Sequence, residues 1–143
     1  MREFSYGIIP YLITDSGVSI LLSRTSLKND NYDFIKGKIE SGETIKDCVV
    51  REVKEEIGID IDQSYLEDYY FQRSKRKDIG LFLINWDKYI EVPFELEAEE
   101  IAEVDWFNVS SLPEVSNNQR LLLTDIKVKF DKINFMNKRR LNV

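Results

Sequence analysis

Phe4 to Ile13 and Val18 to Leu22 are runs rich in β-branched and aromatic residues, and the "TDSG" between them has the Asp-Ser-Gly content of a tight turn. The pair predicts a β-hairpin. Polar "SLKNDN" predicts a loop, and residues 32–39 predict short extended pieces broken at Gly37. Ser41 to Glu43 then supply a turn and a capping residue for a helix over 44–57, closed by Gly58. On that helix Ile45, Val49, Val53 and Ile57 share one stripe, which is expected to face the core. "LEDYYFQ" and "IGLFLINW" flank the basic turn "RSKRKD" and predict a second hairpin, and "AEVDWFNV" predicts a further strand. A final helix over 118–136 carries Leu121, Leu122, Ile126, Phe130 and Ile133 at helical spacing. The succession of strands, helix, strands and helix predicts an α/β (α+β) fold with a mixed sheet between helices. With no repeat or linker in view, residues 1–143 are expected to form a single domain.

The chain has 143 residues, enough to bury a core without disulfides or a structural metal. Its formal net charge of −6 disfavours a generic polyanion binder, while leaving room for a local basic patch or a site that meets phosphate through metal ions. A single cysteine, Cys48, excludes an internal disulfide framework and points to a reducing compartment, with the cytoplasm as the expected location. No apolar run approaches the length of a membrane span, so no membrane association is expected. Histidine is absent, which removes Ser-His-Asp and Cys-His machinery and the commonest zinc and iron sites. Acid–base work would fall to carboxylates, lysines, tyrosines or bound water.

The first helix crowds negative charge beside its apolar stripe. Glu52, Glu55 and Glu56 stand at i, i+3 and i+4, along one rim of the face expected to be buried. Like charges so placed repel, and half-buried carboxylates are tolerated mainly when a cation supplies the missing charge. Oxygen-only ligands select a hard divalent ion, Mg²⁺ first and Mn²⁺ second, which commonly shares its shell with substrate phosphates. The alternating Asp/Asn loop of an EF-hand is absent. Cys48, on the same helix, is expected to be a buried apolar residue with no nucleophilic role.

Gly37, five residues, Glu43, seven residues, then Arg51-Glu52-Val53-Lys54-Glu55-Glu56-Ile57-Gly58-Ile59 resembles the Nudix box, G-x5-E-x7-R-E-U-x-E-E-x-G-U with U aliphatic, at every specified position. Average residue frequencies produce such a match on the order of once in a billion windows. The order of elements around it is also similar to that family's α/β/α sandwich. The resemblance implies a MutT-like hydrolase of nucleoside diphosphates linked to another moiety, with water as nucleophile and Mg²⁺ held by Glu52, Glu55 and Glu56. It also implies that Arg51 and Glu43 brace the loop against the helix, with Gly37 and Gly58 at positions of close backbone approach or positive φ.

Outside the box, "KGKIE" resembles the variant of diadenosine-polyphosphate hydrolases and mRNA-decapping enzymes, although the proline common at the position of Ile35 is missing. Lys36, Lys38 and Arg24, with Lys28, are candidate phosphate contacts. "EAEEIAEVDWF" resembles the family segment that brings a glutamate over the metal, and Glu100 is the first choice for proton acceptor, ahead of Glu99 and Glu103, with Glu55 and Glu56 as the box contribution. At least one of Trp106 and Phe107 is expected to anchor the core. The basic runs "QRSKRKD" and "KVKFDKINFMNKRRLNV" could steer a polyanion or be solvated ends.

The resulting expectation is a Mg²⁺-dependent pyrophosphohydrolase of a small-molecule nucleotide, foremost a dinucleoside polyphosphate. Alternatives are hydrolysis of an RNA 5′ end, including decapping, and house-cleaning of free nucleoside triphosphates. A nucleotide-sensing module is the non-enzymatic alternative, which would not need all three box glutamates.

Overall fold

The computed structural model describes residues 2–25, 31–115 and 120–141, without the side chains of 120–122, 134 and 137–141. In chain order its strands are β1 (Glu3–Thr14), β2 (Gly17–Thr25), β3 (Tyr32–Asp33), β4 (Ile35–Lys38), β5 (Leu66–Arg73), β6 (Lys77–Asn85) and β7 (Ile101–Asn108). The helices are α1 (Ile45–Ile57) and α2 (Arg120–Leu141).

All seven strands join one mixed sheet in the order β3-β2-β1-β6-β5, with β4 added to β1 and β7 to β2. β1 and β6 are parallel, and the other named pairs are antiparallel. One edge of β1 serves two partners: Ser5 to Ile8 pair with β4, and Tyr11 to Thr14 pair with β2. Pro10, which has no N–H to give, lies where β1 passes from one to the other. The box loop is thereby fixed to the middle of the sheet.

Side-chain alternation along β1 divides the core in two. Tyr6 and Ile8 join Val49, Val53, Ile57 and Cys48 beneath α1. Ile9 and Tyr11 face the other way, toward Leu123, Ile126 and Phe130 of α2. Trp106 packs with the first cluster and its neighbour Phe107 with the second, so this aromatic pair anchors both faces. Full burial of Val49, Val53 and Ile57 contributes about 1.5–3 kcal/mol per side chain, which is what holds α1 on the sheet.

The mixed sheet flanked by helices agrees with the sequence pattern, and three details differ. Gly37 does not break the extended stretch but lies inside β4, because its missing side chain is needed there. Ile45, placed on the buried stripe by periodicity, is 37% exposed, since it occupies the first helical position at the sheet's margin. α2 continues past Met136 to Leu141, while Asn118 and the side chains of Leu121 and Leu122 lie outside the described residues.

Local chemistry fixes the bounds of α1. The Thr44 hydroxyl accepts from the Asp47 N–H at 3.1 Å and the Asp47 carboxylate accepts from the Thr44 N–H at 3.3 Å, a reciprocal cap. At the other end Gly58 adopts φ 76°, and its N–H donates to the Lys54 carbonyl at 3.0 Å. A Cβ on Gly58 would also fall 2.6 Å from that of Glu95. Gly58→Ala is therefore expected to lose at least about 1–2 kcal/mol, read as a lower urea midpoint at unchanged slope.

Candidate active site

β4 and α1 meet at Gly37. Cβ built on this glycine would stand 2.0 Å from Oε2 of Glu52, so the carboxylate occupies the space a side chain would fill. Glu52 is consequently buried against backbone, and its charge is met by Arg51 Nη1 at 2.8 Å. Arg51 donates through Nε and Nη2 to both oxygens of Glu43, at 2.7 and 2.9 Å, and through Nη2 to the Lys38 carbonyl at 3.0 Å. This two-pronged pair holds the Glu43 carboxyl near 2, well below its ordinary value. One guanidinium thus ties the loop, the end of β4 and the helix together.

Glu56 lies one turn along and is 8% exposed. Its Oε2 is buried and has no hydrogen-bond partner among the described residues. Burial first, then the neighbouring charge of Glu52, pushes its carboxyl up to about 8; Lys36 opposes this, and Glu100 and Asp33 add to it. Glu52 is also raised by burial, against the pull of Arg51, with Glu55 and Glu100 pushing the same way. The side chain of Lys36 is only 7% exposed, and its ammonium donates to both oxygens of Asp33 at 3.1 Å. Glu100 follows a turn in which its N–H and that of Ile101 donate to the Glu97 carbonyl, while the Glu97 N–H donates to the carbonyl of Glu56 itself. The segment after β6 is pinned to the end of α1 in this way.

Glu52, Glu56, Lys36 and Glu100 are therefore brought together, and other candidates are held apart. Glu55 is not buried with them: its side chain is 57% exposed and accepts at 3.2 Å from Arg51 Nη1, the same nitrogen that donates to Glu52. Lys38 is exposed and pairs with Glu3 at 2.9 Å. Arg24 donates to Glu103 at 2.8 Å, and the Tyr32 hydroxyl donates to the same carboxylate at 2.8 Å, which leaves Glu103 in a cross-strand cluster. Glu99 lies in the same turn as Glu100, its N–H 3.4 Å from Oε1 of Glu97. Lys28 lies outside the described residues. Cys48 is fully buried as expected, and burial lifts its thiol to about 11. Asp33 was not apparent as a site residue in the sequence; its one signal is the i,i+3 spacing to Lys36.

Among the described residues no three carboxylates meet at metal-binding separation. The arrangement nonetheless suits a hard divalent cation. Its donors are all oxygen, the Oε2 of Glu56 lacks a partner, and Gly37 leaves the carboxylate of Glu52 room beside the backbone. A two-carboxylate site leaves further positions for waters and phosphate, as Mg²⁺ prefers.

The raised carboxyl of Glu56 makes stability depend on pH. The folded chain keeps a proton that the unfolded chain releases, so metal-free stability falls as pH rises from about 4.5 to about 8. Urea midpoints across that window should decline in the wild type and decline much less in Glu56→Gln.

Residues 5–126 match the NUDIX domain profile. The NAD-capped RNA hydrolase NudC of Vibrio atlanticus (strain LGP32) is 33% identical over 89 residues, spanning 62% of this chain and 32% of that protein. The m7GpppN-mRNA hydrolase of Saccharomyces cerevisiae (strain ATCC 204508 / S288c) is 30% identical over 105 residues, 70% of this chain and 10% of that one. The chain thus spans a third or less of these curated relatives. Among solved structures, the MutT protein of Methanosarcina mazei Go1 superposes with a TM-score of 0.62 at 21% identity, covering 93% of this chain and 96% of the other. The profile match runs from β1 through the box into α2, and on that ground the chain belongs to the Nudix domain family.

Proposed function

We propose that the chain is a Nudix pyrophosphohydrolase that uses Mg²⁺, with Mn²⁺ as substitute, to cleave a phosphate anhydride joining a nucleoside to a second moiety. The observation that carries this reading is the pair of buried carboxylates on α1, one of them with an oxygen that has no partner among the described residues and that feels the charge of Lys36. Glu52 and Glu56, with Glu55 swinging in from the surface, would hold the cation. When bound, that ion would neutralise phosphate charge and make a water more acidic.

The chain's own residues supply the remainder. Arg51 fixes the direction of Glu52, and Glu43 fixes Arg51. Lys36, half committed to Asp33, can turn its ammonium to a phosphate oxygen. Glu100 accepts the proton of the water whose oxygen bonds to phosphorus, as the bond from phosphorus to the leaving phosphate oxygen breaks. No covalent enzyme intermediate is needed.

A dinucleoside polyphosphate is the substrate proposed first. It makes few direct phosphate contacts, in keeping with a chain of net charge −6. An RNA 5′ end is the second reading. It is favoured by the names of the two curated relatives and by Lys77, whose ammonium is pushed below its ordinary value by burial and then by the charge of Lys36. A lysine of the second hairpin is therefore near enough to feel the charge of Lys36.

Glu56→Gln is expected to lower kcat on the order of a hundredfold or more. Mg²⁺ at a hundred times its Kd should raise wild-type stability by about 2.7 kcal/mol, and much less in this variant. Full activity of Glu56→Gln at saturating Mg²⁺ would remove the metal assignment. Glu100→Gln should reduce kcat on the order of 10²–10⁴ with KM nearly unchanged; a variant as fast as the parent moves the base to Glu99 or Glu103. Hydrolysis of diadenosine tetraphosphate and of a 5′-triphosphorylated oligonucleotide at two salt concentrations separates the two substrates. A shallow salt slope and preference for the dinucleotide are expected, and a steep slope with oligonucleotide preference reverses the order.

A further inference from the structure

The sheet face that carries α1 continues past the helix onto β6 and the edge strand β5. Cross-strand register sets three rows on it: Phe4 beside Asp78 and Arg73, Tyr6 beside Gly80 and Phe71, Ile8 beside Phe82 and Tyr69. Gly80 has no side chain, and the Tyr69 phenol fills that space; a Cβ there would meet its oxygen at 2.1 Å. The Tyr69 ring lies 4.8 Å from that of Phe82 and 6.4 Å from that of Phe71, the last two planes being 26° apart. Phe4, Tyr69 and Phe71 are 41%, 42% and 48% exposed. Tyr69 and Phe71 thus form an exposed aromatic pair, with Phe4 on the same face across β6, and exposed aromatic surface of this kind marks a contact site.

Positive charge surrounds it. Arg2 and Arg73 share the buried carboxylate of Asp78, at 2.7 and 3.5 Å, which leaves one charge in excess. Arg2, Glu3, Lys75 and Arg76 line a depression of 570 Å³ beside the β5–β6 turn, and Glu3 is already matched by Lys38. Lys46, in the first turn of α1, stands 5.9 Å from the centre of the Phe82 ring. Every unpaired base offers a π-face to an aromatic ring, and every linkage offers a phosphate to arginine or lysine.

We infer that this face of β1, β6 and β5 binds single-stranded nucleic acid. Phe71, Tyr69 and Phe4 stack unpaired bases, while Arg73, Arg2, Lys75 and Arg76 hold the phosphates. Tyr6 stands between Gly80 on one side and Gly37 on the other, so Phe71 and Tyr69 on β5 lie three strand spacings, about 14 Å, from the strand that Glu52 packs against, and Phe4 on β1 lies nearer. None of these residues belongs to the carboxylate site.

Fluorescence anisotropy with a 3′-labelled, 5′-hydroxyl oligoadenylate of about ten nucleotides tests this, because the probe holds no anhydride and binding is read apart from hydrolysis. The wild type should bind the single strand in preference to a duplex and more weakly as salt rises. Phe71→Ala should raise Kd about tenfold, Phe71→Tyr should restore it, and hydrolysis of diadenosine tetraphosphate should be unchanged in both. No binding at low salt, or equal binding by Phe71→Ala, overturns the inference. A dimer in sedimentation velocity that Phe71→Ala dissociates, without oligonucleotide binding, assigns the face to a second copy and overturns it equally.

Discussion

Arg51 is the joint on which the site depends. It sits on α1, yet its guanidinium reaches a loop carboxylate, a strand carbonyl and two glutamates of its own helix. A planar group with five donors can do this; a lysine, with one point of charge, could not hold Glu43 through two parallel bonds and still orient Glu52. The α1 core fixes where the helix lies, and the arginine fixes where its carboxylates point. Both are needed, because a buried carboxylate with freedom to rotate would find solvent or a backbone donor.

Much of this was legible in the chain. Hydrophobic alternation located the two hairpins, and the reciprocal Thr44–Asp47 cap and Gly58 bounded α1 close to where punctuation residues suggested. Glu52 and Glu56 were identifiable as rim residues because helical periodicity is a geometric rule. Periodicity could not separate Glu55 from them. Glu55 stays exposed while sharing Arg51 Nη1 with the buried Glu52, and how one nitrogen serves two carboxylates is decided by side-chain reach.

Other features were hidden because they depend on register between distant segments. Gly37 reads as a breaker in isolation, and only its position beneath Glu52 explains why a strand retains it. Gly80 has the same relation to Tyr69, 43 residues farther along and on the opposite flank of Tyr6. Lys36 looked like a free phosphate contact; pairing with Asp33 makes it a cation held in reserve inside the fold. Local sequence carries no trace of the partners of Gly37 and Gly80, and of Asp33 only its i,i+3 spacing to Lys36.

Cys48 illustrates what burial does to chemistry. Its sulfur lies 3.7 Å from the Gly37 carbonyl and 3.9 Å from Arg51 Nη2, at the seam where helix meets strand. A thiol so enclosed, and pushed to about 11, contains little thiolate at neutral pH and offers oxidants or alkylating reagents no approach. Modification there requires α1 to lift from β4. The lone thiol is thus a built-in reporter of opening at the seam, and its reaction rate measures how often the folded chain exposes the underside of the helix.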